Sequence, residues 1–332
     1  MRLIEKVWFH GDSAKYWLVP LLLPLNFIFW LLSNFRRIGY ECKLLPSYKV
    51  SKPVIVVGNI GIGGNGKTPL VLWLIKLCQA QGLNPGVISR GYGGKPPHMP
   101  YILNERSIVE ETGDESLMIY RRTKVPICVG TDRIKSANAL IQQGCDIIIA
   151  DDGLQHYRLQ RDIEFIVIDG KRRFGNERLL PAGPLREGLW RLNTVDYVIN
   201  NGNKPLVNEI PMTLEPACLV NCATGQVIDS RLLRESSSAV SAVAGIGSPD
   251  RFFATVRTLG FTIRKQHGFV DHHDYREEDF SAFSQDLPLL MTEKDAVKCY
   301  GFAKDNWYVP VDAHLPKIEE NLLAKRLLTL AS

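Results

Sequence analysis

The chain has 332 residues, of which 45% are hydrophobic and 23% charged, with a net charge of +5. That length and mix describe a globular protein of two ordinary domains and exclude a disordered or low-complexity chain. The mild positive charge forms no dense basic stripe, so no nucleic-acid partner is expected. Seven scattered cysteines with no C-x-x-C pair give neither a disulfide framework nor a zinc signature, and suit a reducing cytoplasm.

Residues 1–37 differ from everything after them. Trp17 to Leu32 is apolar except for Asn26, Pro20 and Pro24, and is flanked by Arg2, Lys6 and Lys15 on one side and Arg36 and Arg37 on the other. Sixteen residues with two prolines fall short of the roughly 20 that span a bilayer. The aromatic and basic content suits a helix lying at a lipid headgroup boundary. This segment is expected to anchor the chain peripherally at a lipid surface.

Val54-Ile55-Val56-Val57 reads as a buried parallel strand. It runs into Gly61-Ile62-Gly63-Gly64-Asn65-Gly66-Lys67-Thr68, which fits the phosphate-binding pattern G-x-x-x-x-G-K-[ST] at every fixed position. Leu70, Val71, Leu74, Ile75 and Cys78 then recur at helical spacing. Glycines let successive N–H groups face one anion, and the helix N-terminus adds partial positive charge. Lys67 would reach the β- and γ-phosphates of ATP and Thr68 would hold Mg²⁺.

Gly86 to Ser89 reads as the next strand and leads into Arg90-Gly91-Tyr92-Gly93-Gly94, a candidate substrate contact at a strand's carboxyl end. Asp114 stands where a helix begins, and on its own reads as a helix cap. Asp146 to Asp152 is a hydrophobic strand ending in Asp151-Asp152, an arrangement that meets Mg²⁺ in phosphoryl-transfer enzymes. Gln155 and His156 extend that loop. Leu179 to Glu187 forms a Pro-rich loop presenting Arg186 and Glu187. Arg133 and Lys135 are further cations with no assigned place. Composition turns to Asn, Gly, Lys and Pro near residues 201–216, so domains are expected at 38–205 and 206–332. The smaller one carries Asp271-His272-His273 and Thr292-Glu293-Lys294-Asp295.

Taken in order, these motifs resemble the tetraacyldisaccharide 4'-kinase family. The resemblance rests on the P-loop with Thr68-Pro69, Ser89-Arg90-Gly91-Tyr92-Gly93, Gly113-Asp114-Glu115, Asp151 to His156, Leu180 to Glu187, Asp271-His272-His273 and Thr292 to Lys298. It implies an α/β fold: a P-loop NTPase-like parallel-sheet domain, a second smaller α/β domain and an N-terminal membrane-associating helix. It implies ATP and Mg²⁺ as cofactors and transfer of the γ-phosphate to the 4'-hydroxyl of a tetraacylated glucosamine disaccharide 1-phosphate, giving lipid IVA. Asp114 is implied as the base, beside a histidine of the Asp271-His272-His273 segment, with His272 preferred to His273. A sugar hydroxyl is a poor nucleophile at neutral pH, so such a base is chemically required. Lys67 and Arg186 would neutralise charge on the transferred group. Thr68 with Asp151, Asp152 or Glu187 would place Mg²⁺, and Arg90, Gln155 and His156 would contact substrate. Nothing in the sequence calls for a stable protein partner. Three other readings are a nucleotide switch, a soluble kinase or ligase of small acids, and a membrane adaptor. The first lacks a base-recognition Asn/Thr-Lys-x-Asp, the second has no use for the apolar N-terminus, and the third leaves the P-loop idle.

Overall fold

Four hydrophobic runs, Val54–Gly58, Pro85–Ser89, Ile147–Asp151 and Ile163–Asp169, lie side by side with every residue buried. Strands covered on both faces need no polar alternation, which is why these runs are continuously apolar. They form the middle of a nine-stranded sheet in a computed structural model that describes residues 3–216, 218–283, 286–299 and 306–331. In spatial order its strands are Val311–His314, Glu209–Pro216, Tyr197–Asn201, Ile163–Asp169, Val54–Gly58, Ile147–Asp151, Pro85–Ser89, Ile127–Val129 and Tyr101–Ile102. Seven run parallel, and the two edge strands are antiparallel to their neighbours.

Helices cover both faces. Lys67–Ala80 buries Leu70, Val71, Leu74, Ile75 and Cys78 against one face, beside Asp114–Thr123 and the C-terminal helix Lys317–Ala331. Gly82 ends the first of these helices with φ 76°, the left-handed turn that glycine allows. Arg133–Gln142 covers the other face.

A second, six-stranded sheet runs Val227–Ile228, Leu219–Asn221, Asn306–Val309, Leu289–Thr292, Ala239–Ala244 and Thr262–Gly268. Its helix Pro249–Thr258 starts with proline in the first turn, where the missing N–H costs nothing. The change of sheet falls between Pro216 and Leu219, not at 205, because Glu209–Pro216 pairs with Tyr197–Asn201. Val311–His314 and the helix after it return to the large sheet. We therefore propose a division by sheet: 38–216 with 311–331, and 219–309.

The N-terminal segment forms a short helix, Leu3–Phe9, and then one helix of 27 residues, Lys15–Glu41. Arg2, one of the basic flanks, lies outside the described residues. The long helix runs through Pro20 and Pro24, so it exceeds the apolar sixteen residues read from sequence. Each proline leaves one carbonyl, that of Tyr16 and that of Pro20, without its helical donor. At 1.5 Å per residue the helix is about 40 Å long. None of its most apolar 18-residue window is buried. Two polar groups tie the segment down: Asn26 Nδ2 donates to the Leu179 carbonyl at 2.5 Å, and Trp8 Nε1 to the Pro181 carbonyl at 3.2 Å.

Candidate active site

The phosphate-binding loop leaves the central strand Val54–Gly58 at the carboxyl edge of the sheet. Gly66 has φ 94° and takes no side chain, since a Cβ there would meet Asn201 Nδ2 at 2.3 Å. Lys67 is the first residue of its helix. The loop is braced from outside. Asn201 Nδ2 donates to the Asn65 carbonyl at 2.9 Å and Arg172 Nη2 to the Gly64 carbonyl at 3.1 Å. The Pro-rich loop 179–187 grips the other side: the Ile62 N–H donates to the Pro184 carbonyl and the Arg186 N–H to the Ile60 carbonyl.

Two adjacent carboxylates end the next strand, in different environments. Asp152, at φ 48°, sits 3.2 Å from Lys67 Nζ and 3.1 Å from Arg186 Nη1. Burial opposes its charge, but these two cations outweigh it and hold its carboxyl below the usual range. Asp151 is 2% exposed, and its Oδ1 has no hydrogen-bond partner. Burial, followed by the nearby Glu115 carboxylate, pushes it up to about 7. A buried carboxylate oxygen with no donor, one residue from a second acid and facing a P-loop, fits a divalent cation. Among the described residues no three His, Cys, Asp or Glu side chains form a ready metal cage. Mg²⁺ does not require one, because it keeps waters and takes phosphate oxygens as ligands.

Across the cleft, Asp114 begins the helix Asp114–Thr123 and is 4% exposed. It does not cap that helix as the sequence suggests; its Oδ1 accepts from the Glu115 N–H at 2.9 Å and lies 3.2 Å from His272 Nδ1. Its Oδ2 lies 2.9 Å from His272 Nδ1. Lys294 stands 3.9 Å from the same oxygen, and bonds Glu115 at 3.0 Å and Asp271 at 3.1 Å. Burial raises Asp114, but the His272 hydrogen bond and the two lysines Lys294 and Lys298 prevail and hold it low. His272 is correspondingly raised, chiefly by that hydrogen bond. His273 goes elsewhere: it pairs with Asp279 at 2.9 Å and stacks on Phe269. Of the two adjacent histidines, His272 is the one that contacts Asp114.

One cavity of about 1530 Å³ joins these groups. Its walls include Gly63 to Thr68, Arg90, Asp114, Asp151, Asp152, Gln155, His156, Arg186, Glu187 and His272. It continues to Phe29, Trp30 and Leu32 of the long N-terminal helix. Two expected ligands are already engaged: Glu187 accepts from Gln155 Nε2 at 2.8 Å and from the Tyr157 hydroxyl. Gln155 also donates to the Asn59 carbonyl. Burial and Arg133 depress His156, whose Nδ1 is buried without a partner. Arg133, unplaced by sequence, is buried under the acids and donates to the Asp151 carbonyl at 2.9 Å, while Lys135 is exposed on the outer helix. Nothing local in the sequence marks Glu115 or Lys294 as a site residue. Lys294 lies in an expected motif, but only the fold brings it to residues 114, 115 and 271.

A sequence profile described as Tetraacyldisaccharide-1-P 4'-kinase matches residues 18–329. The chain is 56% identical to the tetraacyldisaccharide 4'-kinase of Colwellia psychrerythraea over 98% of its own length and 97% of that protein's. It is 48% identical to the Aliivibrio salmonicida enzyme of the same name, again over 98% and 97% of the two chains. Among solved structures, LpxK from Aquifex aeolicus in complex with ATP aligns with a TM-score of 0.80 at 27% identity, covering 95% of this chain and all of that one. With a family profile spanning nearly the whole chain and relatives this close, the protein belongs to the tetraacyldisaccharide 4'-kinase family.

Proposed function

We propose that this chain transfers the γ-phosphate of ATP to the 4'-hydroxyl of a tetraacylated glucosamine disaccharide 1-phosphate, giving lipid IVA. The observation that carries the proposal is a single cavity with a P-loop at one end, an Asp114–His272 pair in its wall and an apolar helix at the other end.

Asp114 is ionised at neutral pH and accepts the 4'-hydroxyl proton as the oxygen bonds to the γ-phosphorus and ADP leaves. His272 orients that carboxylate through Nδ1 and shares the proton. Lys67 and Arg186, both drawn toward the cleft by Asp152, neutralise charge spreading over the transferred oxygens. Thr68, Asp151 and Asp152 are the residues that would hold Mg²⁺. When bound, the ion would supply charge neutralisation for the phosphate oxygens. Glu187, tied to Gln155 and Tyr157, supports the loop rather than the metal in this reading. Arg90 and His156 face the sugar.

We infer that the helix Lys15–Glu41 lies along a membrane surface, with its exposed Leu21, Phe27, Ile28 and Leu32 in lipid. Its length would permit a span. Asn26, however, sits within the apolar stretch and bonds a carbonyl of loop 179–187, so a span would draw that loop into the hydrocarbon. The cytoplasmic face of the inner membrane is the site that supplies both ATP and the lipid. Labelled ATP incubated with the lipid disaccharide should yield a product whose new phosphate ³¹P NMR places at the 4' position. Phosphate at any other oxygen contradicts the proposal.

A further inference from the structure

Lys298 is a buried ammonium with no hydrogen-bond partner among the described residues. Its side chain is 7% exposed, and Nζ lies between two carboxylates, 3.4 Å from Asp295 Oδ1 and 3.7 Å from Asp114 Oδ2. Asp295 is fully buried and fixed independently, since its Oδ2 accepts from the Gly245 N–H at 2.9 Å and the Thr292 hydroxyl at 2.6 Å. The Tyr275 ring, 5.1 Å away, supports the cation from another side. A lysine that served only to neutralise Asp295 would complete a hydrogen bond to it, yet at 3.4 Å neither Lys298 Nζ nor Asp295 Oδ1 makes one. Lys298 instead stands almost midway, where its field is divided between the two acids.

We propose that Lys298 is a positioning residue that keeps the Asp114 carboxylate ionised and in place for proton acceptance, acting from behind the base while His272 covers its open side. This rests on the reading of Asp114 as the base. Other charges facing Asp114 are Lys294 and His272 across the cleft, Asp271 beside them and Glu115 on its own helix. Lys298 differs from Lys294 in touching neither Glu115 nor Asp271 and in sharing its charge between Asp114 and Asp295. Lys294 bonds Glu115 and Asp271 directly, whereas Lys298 makes no hydrogen bond among the described residues.

The test is the pH dependence of kcat/KM for the full chain in mixed micelles of lipid disaccharide and detergent. Lys298→Met should move the acidic limb upward by about one pH unit, because removing a nearby cation favours the protonated acid. The KM for ATP and lipid should stay within about twofold. Lys298→Arg should return the limb toward the wild-type position. The double variant Lys298→Met, Asp295→Asn removes both buried charges and guards against misfolding of the single variant. It should show the same upward limb. A folded Lys298→Met or double variant with the limb unmoved, or a loss of activity equal at every pH, overturns the inference. Asp114→Asn separates the two readings. If it retains an acidic limb with high activity, the base assignment fails. If that limb vanishes with activity while Lys298→Met leaves it in place, the Lys298 inference alone fails.

Discussion

The two ends of the cleft are built in opposite ways. The nucleotide end is built round one contiguous stretch, Gly61 to Thr68, hung on a strand whose neighbours are all buried. The acceptor end is assembled from Asp114, His272, Lys294 and the helix Lys15–Glu41, which are distant in sequence and arrive from both sheets and the N-terminus. Phosphate binding needs backbone N–H groups and a helix terminus, which a short local motif supplies. Selecting a particular hydroxyl on a lipid needs a base, a second cation layer and an apolar wall held at fixed separations, which only tertiary packing provides.

Perturbing one end should therefore leave the other intact. Lys67→Ala should give the largest loss, about a thousandfold in kcat/KM, with the acceptor's binding little changed. Asp114→Ala should cost about a hundredfold in kcat while ATP binding, read by calorimetry, stays as in the parent. Weakened ATP binding in that variant would break the division. A smaller effect should follow from Leu21→Glu with Ile28→Glu on the exposed helix face. Flotation with anionic vesicles should show binding reduced on the order of tenfold, because charge replaces buried apolar area. Turnover of a detergent-dispersed acceptor should persist.

The smallest effect concerns stability. His272 has its pKa raised from 6.5 by its bond to Asp114, so its contribution is complete below the unfolded value and fades as pH rises through the folded one. On the acid side the contribution fades as pH falls through the lowered Asp114 value. His272 is about a third exposed, so the pair is worth about 1 kcal/mol or less. The difference in Tm between the parent and His272→Gln should peak in mildly acid solution and shrink above neutrality. A difference that grows with pH would contradict the pairing.

The nucleotide end was legible in sequence because its signal is contiguous: strand, eight-residue loop and helix follow within the chain. The Asp114–His272 contact was not, since nothing local in either residue points to the other 158 positions away; only likeness to a family suggested it. Two strands escaped for different reasons. Glu209–Pro216 carries prolines at 211 and 216 that argue against a strand, and Val311–His314 is too short to mark its return to the large sheet. The long helix was underread because Pro20 and Pro24 are helix breakers in a soluble interior, yet here they stand on a face nothing covers. Lys294 and Lys298 carry no local signal of a role beyond their place in a family motif, and their meaning lies in the acids the fold brings them against.

The central claim is that the acceptor end recognises an acylated glucosamine disaccharide. ADP release from the full chain, measured with ATP, Mg²⁺ and one added acceptor at a time, tests it most directly. The tetraacylated disaccharide 1-phosphate should stimulate release by orders of magnitude over ATP alone, and small carboxylic acids should not. Equal stimulation by small acids, or full turnover without any acceptor, would contradict it.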